Sequence, residues 1–108
     1  MFGFTRRPQV VCADGFTISV QASSSHYCDP RDGSGPYEAV EVGFPSASEP
    51  LLMDYIEISG EDPTQSVYPY VPVGVIETII ANHGGIHPVK MANVTWQQPG
   101  LPHPALDL

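Results

Sequence analysis

The sequence predicts one small α+β domain: an antiparallel sheet with an N-terminal hairpin, packed against one or two helices and followed by an extended C-terminal tail. Three observations predict it. Asp14-Gly15 separates two β-rich runs, the second of those runs alternates apolar and polar residues, and an apolar segment opened by Pro72 closes on Gly84-Gly85. With 108 residues the chain has room for one hydrophobic core, and a hydrophobic fraction of 42% is that of a folded domain. Its 10 glycines and 12 prolines imply many turns and short elements.

Taken in chain order, residues 9 to 22 form the hairpin, with Ala13, Asp14 and Gly15 at the turn. Phe16, Ile18, Val20 and Ala22 share one face of the second strand, while Thr17, Ser19 and Gln21 share the other. Residues 23 to 36 are rich in Ser, Gly, Asp and Pro and read as a loop. The next strand covers residues 37 to 44, with Val40, Val42 and Phe44 inward, Ala39 and Glu41 outward, and Glu38 emerging at its start. Ser46 or Ser48 is expected to cap a short helix from Glu49 to Tyr55, although residues 56 to 58 also suit a strand. A turn at residues 59 to 64 leads to a strand over 67 to 71, which Pro69 confines to a sheet edge or a bulge. The helix that follows places Val73, Val75, Ile76, Ile79 and Ile80 on a broad apolar face. Its Gly74 and β-branched residues weaken intrinsic helicity, so packing must hold it. A last short strand is expected over 94 to 96, closing a domain of residues 1 to 96, and residues 97 to 108 form the Pro-rich tail.

No run reaches the roughly 18 apolar residues that span a bilayer, and the opening MFGFTRRPQ lacks a hydrophobic signal core, so a cytoplasmic location away from membranes is expected. Cys12 and Cys28 are expected as small buried thiols rather than a bridge.

Charge is the strongest feature. Four basic residues face twelve acidic ones, for a net charge of −8. Between Asp32 and Val89 there is no Lys or Arg, whereas Asp32, Glu38, Glu41, Glu49, Asp54, Glu57, Glu61, Asp62 and Glu77 all fall in that interval or at its start. Carboxylates without local cations produce a field that reaches about a Debye length, roughly 8 Å, into solvent. That field attracts basic proteins and argues against direct nucleic-acid binding, which needs clustered Lys and Arg. An acidic balance also serves solubility alone.

Chemistry-bearing patterns are sparse. His26-x-Cys28 with His83-x3-His87 supplies four nitrogen and sulfur atoms, but at a spacing unlike the paired knuckles of structural zinc sites, and His83 suits a helix C-terminus instead. Cys28 with His26, or the Ser23-Ser24-Ser25 run with a histidine, lacks any surrounding nucleophile motif. Asp54 and Glu57, three apart, read as a solvated acidic patch before an acid–base pair. No catalytic residue, metal site or cofactor is assigned, and no enzyme activity is expected.

The segments VCADGFTISVQAS, HYCDPR, GPYEAVEVGFPS, LLM-x-Y, VYPYVP and HGGI, within residues 10 to 86, resemble a group of small uncharacterised proteins encoded by bacteriophages and prophages. No activity is carried over residue by residue. Small acidic phage proteins include host-defence inhibitors, among them anti-CRISPR proteins that imitate DNA by presenting carboxylates to a basic groove. The resemblance thus implies a phage-type inhibitor acting in the cytoplasm of an infected or lysogenic bacterial host. Its partner would be a basic host protein or ribonucleoprotein, such as a CRISPR effector complex, met through Glu41, Asp54, Glu57, Glu61 and Asp62. Two alternatives stand beside it: a phage structural or assembly protein, and a small metal- or thiol-dependent enzyme. The oligomeric state is left open.

Overall fold

The N-terminal turn shows how local chemistry starts the fold. Asp14 Oδ1 accepts the Phe16 N–H at 2.9 Å, and Gly15 takes a φ of 96°, a left-handed conformation that needs no Cβ. The two strands joined there are β1, Val10–Val11, and β2, Thr17–Gln21. The computed structural model describes residues 8 to 23, 26 to 30 and 37 to 91. The expected strand at 94 to 96 and the tail at 97 to 108 lie outside the described residues.

Strand β3, Ala39–Gly43, and strand β4, Val67–Pro72, complete an antiparallel four-stranded sheet in the order β1-β2-β3-β4. Helix α1, Val73–Asn82, follows β4 directly, and a 3-10 helix at Pro50–Tyr55 lies beside β4. Together these make the α+β fold the sequence predicts. One core unites the inward side chains of the sheet, Ile18, Val20, Val40, Val42, Tyr68 and Val71, with Leu52 of the 3-10 helix and Ile76, Ile79 and Ile80 of α1. That burial stabilises α1, whose β-branched sequence would be a poor isolated helix. Its stop is as expected, with Gly84 and Gly85 both at φ 89°. Beyond it the chain returns to the outer edge of β1, where Ala13 donates to the Gly85 carbonyl and His87 to that of Val11. The returning segment covers an edge that would otherwise offer unpaired backbone groups.

β4 is the other edge, where Pro69 is tolerated. Val40 pairs with Val71 and Val42 with Tyr68, so β4 spends one residue more than β3 over the same span. Tyr70 sits in that irregularity at φ 55°, which is why the inward residues Tyr68 and Val71 are three apart.

Two local expectations need correction, and one open choice is decided. Phe44 points to solvent, 45% exposed, because the chain leaves β3 there in a left-handed conformation with φ 51°. The cap of the 3-10 helix is Glu49, whose side chain accepts the Leu51 N–H, whereas Ser46 Oγ accepts the N–H of Thr17. Residues 56 to 58 join no strand, and a second 3-10 turn, Pro63–Gln65, precedes β4.

Candidate functional site

Four of the five acidic residues singled out by sequence come from one stretch of chain. Asp54 projects from the first 3-10 helix, and Glu57, Glu61 and Asp62 belong to the turn that leads into β4; all four are exposed. Backbone bonds hold the turn: the Glu57 N–H donates to the Val67 carbonyl at 3.0 Å, and the Glu61 N–H to that of Ile58 at 3.3 Å. Asp62 has a structural duty as well. Its Oδ1 accepts the Thr64 N–H at 2.9 Å and the Thr64 hydroxyl at 2.8 Å, and these bonds hold its carboxyl below the usual carboxylate range. Glu61 Oε1 accepts the Ser66 hydroxyl at 3.3 Å.

Glu41 is not part of this group. Along β3 it alternates with the buried Val40 and Val42, so it lies on the face of the sheet turned away from α1. There its Oε1 accepts the Tyr27 N–H at 3.0 Å, and the Tyr27 carbonyl in turn accepts the Tyr70 N–H at 3.2 Å. Glu41 fastens the loop after β2 to the sheet.

Among the described residues the ion pairs all involve His83. Asp54, Glu57, Glu61 and Asp62 have no cationic partner there, so their charges add rather than cancel.

The His83 cluster joins residues that sequence reasoning treated separately. Nδ1 lies 2.6 Å from Asp14 Oδ2 and Nε2 lies 3.0 Å from Glu49 Oε1, while the ring stacks on Phe16 at 4.0 Å between centroids. Two carboxylates at the two ring nitrogens require both nitrogens to donate, which defines the imidazolium. Partial burial alone would lower the histidine's pKa; the hydrogen bonds and charges of Asp14 and Glu49 outweigh it, and the net shift is upward. Asp14 is lowered by the Phe16 N–H first and His83 second. The cluster clamps the hairpin turn, the first 3-10 helix and the end of α1 together. No local pattern announces it, because its members are 69 and 34 residues apart.

The loop after β2 brings Ser23 and His26 together, with Oγ 2.7 Å from Nδ1, but both are only 5% exposed. Cys28 Sγ donates to the Ser23 carbonyl at 3.1 Å and the Pro30 carbonyl at 3.4 Å, an arrangement for a protonated thiol rather than a nucleophilic thiolate. Burial, then the charge of Asp14, pushes Cys12 up to about 11. His83 has both nitrogens on carboxylates, and His87 Nδ1 accepts the Val89 and Lys90 N–H groups. Among the described residues no group of three or more His, Cys, Asp or Glu side chains is placed to hold a metal ion.

A groove of about 330 Å³ opens between the first 3-10 helix and α1, lined by Pro50, Leu51, Asp54, Tyr55, Gly74, Val75 and Thr78. Its one charged wall is Asp54, next along the chain to the acidic turn. No described helix is long and apolar enough to cross a membrane. The chain matches no protein-family model, no curated protein and no solved structure.

Proposed function

We propose that the chain is an interaction protein of the phage-inhibitor kind, which docks an acidic surface on the basic nucleic-acid-binding site of a host defence complex, as a DNA mimic does. A CRISPR effector complex in the host cytoplasm is the partner this reading names. The observation that carries it is the run of four exposed carboxylates at Asp54, Glu57, Glu61 and Asp62 without a cation among the described residues. Glu41 is left out of the docking surface in this reading, since it lies on the face of β3 opposite the buried Val40 and Val42 and is engaged by the Tyr27 N–H.

A phosphate-binding groove is a row of Lys and Arg that must be neutralised by its ligand. Carboxylates fixed on a short helix and a hydrogen-bonded turn can supply that neutralisation without the entropy loss of ordering a floppy segment. Acting through solvent at the rim of an interface, they govern association rate and salt dependence more than packing.

The test replaces charge while keeping shape, with D54N, E57Q, E61Q and D62N combined. Asn is as good a cap as Asp, so the turn at Asp62 is retained. Each exposed charge pair is weak on its own, but removing all four is expected to lower affinity for a purified effector ribonucleoprotein by roughly fourfold or more. An unchanged affinity, with an unchanged circular-dichroism spectrum, would remove the electrostatic basis of the proposal.

A further inference from the structure

Gly74 has no explanation within the fold. It is the second residue of α1, and glycine is a poor helix former. Its φ lies outside the left-handed region, and a Cβ built on it meets nothing within 4 Å. Neither backbone conformation nor close packing therefore asks for glycine. What its missing side chain leaves open is the groove between α1 and the first 3-10 helix, whose walls also include Leu51, Tyr55 and Asp54. Leu51, on this lining, is 41% exposed and so keeps apolar surface in water.

We infer that this groove is an anchor site for an arginine flanked by a large apolar residue, carried on an exposed segment of a basic protein partner. The inference rests on the proposed function for the basic character of the partner and on the groove for everything else. The lining offers a chemical counterpart for each part of an arginine. Its methylene stem can lie on Leu51 and Val75, its planar head can stack on the Tyr55 ring, and Asp54 offers a carboxylate for two parallel hydrogen bonds. The adjacent apolar side chain fills the space over Gly74. At about 330 Å³ the groove is at the bottom of the range for small-molecule pockets, a size for side chains rather than a whole cofactor. A phosphate ligand is disfavoured by Asp54. The chain's own residues 92 to 108 contain no Lys or Arg, so within the chain only Arg6, Arg7 and Arg31 could supply a guanidinium; peptide affinity that rises when these three are changed to Gln would show that one of them is the occupant and overturn the inference.

The probe is a synthetic hexapeptide, acetyl-Ala-Leu-Arg-Leu-Arg-Ala-amide, titrated into the ¹⁵N-labelled full chain and followed by amide chemical shifts. Saturable shifts are expected at Asp54, Tyr55, Val75 and Thr78. The Gly74→Leu variant fills the groove with a better helix former and is expected to weaken binding at least tenfold; Thr78→Met, which intrudes from the next turn, is a second blocker should the first not fold. Asp54→Asn is expected to reduce affinity severalfold. Shifts spread away from the groove, full binding by both blocked variants, or equal binding of a peptide with Glu in place of Arg would overturn the inference. The two readings fail separately. An effector whose salt-sensitive binding ignores Gly74→Leu sinks the groove alone, whereas peptide binding in the groove with no effector binding sinks the proposed function alone.

Discussion

Replacing His83 with alanine removes a side chain that joins the hairpin turn, the cap of the first 3-10 helix and the end of α1, so its cost can be worked contact by contact. A charge-assisted hydrogen bond to Glu49, a carboxylate only 7% exposed, is worth about 1.5–3 kcal/mol. Stacking on Phe16 adds about 0.5–1.5 kcal/mol. The Asp14 contact is open to solvent and screened, and contributes little. The expected loss is about 2–4 kcal/mol, a fall of roughly 10–20 °C in Tm for a domain of this size. The pH dependence distinguishes a protonated clamp from simple packing. His83 is raised in the folded state, so its contribution is complete below the ordinary histidine value of about 6.5 and is lost as pH rises through the higher folded value. Asp14 is lowered, so its share is present above about pH 4 and is lost as pH falls through its folded value. Urea unfolding of both proteins at pH 5.5 and pH 9 measures the difference. A loss under 1 kcal/mol, or one of equal size at both pH values, would refute the imidazolium clamp.

Other expectations follow from single contacts. Leu52→Ala empties a fully buried position under the first 3-10 helix and should cost about 2–5 kcal/mol in urea unfolding; a loss below 1 kcal/mol would mean that the helix is not seated on the core. At Phe44, where φ is 51°, Phe44→Asn should be more stable than Phe44→Val by about 1–2 kcal/mol, although valine is the stronger strand former; the reverse order would place the residue in extended backbone. With its thiol pushed up to about 11 and buried, Cys12 should resist iodoacetamide at pH 8 until the chain is unfolded; rapid native-state alkylation at Cys12 would contradict that environment.

How much of this was legible depended on the range of each interaction. Asp14-Gly15, the inward set Phe16, Ile18, Val20 and Ala22, Pro69 on an edge strand and the Gly84-Gly85 stop are all decided within a few residues, and the structure agrees with each, although Gln21 of the opposite face is buried as well. Phe44 continued the apolar alternation of β3, and nothing in its identity announces a left-handed residue, since phenylalanine rarely adopts one. Glu49, rather than Ser46 or Ser48, caps the 3-10 helix, and the Ser46 hydroxyl is committed to Thr17, 29 residues away. In the acidic group, Asp54, Glu57, Glu61 and Asp62 were close in sequence and stayed close on the chain. Strand parity, which the alternation of β3 contained, puts Glu41 opposite the buried Val40 and Val42, whereas Asp54 lies on the groove beside α1. The His83 clamp required tertiary pairing, and the groove required knowing which side of α1 the 3-10 helix occupies.

Displacement of labelled target DNA from a purified CRISPR effector ribonucleoprotein, followed by fluorescence anisotropy over increasing concentrations of the chain, examines the central proposal at its root. The account predicts that DNA is released competitively and that the required concentration climbs steeply between low and high salt. If the DNA stays bound at saturating chain, or leaves by a route indifferent to salt, carboxylates do not stand in for phosphates here.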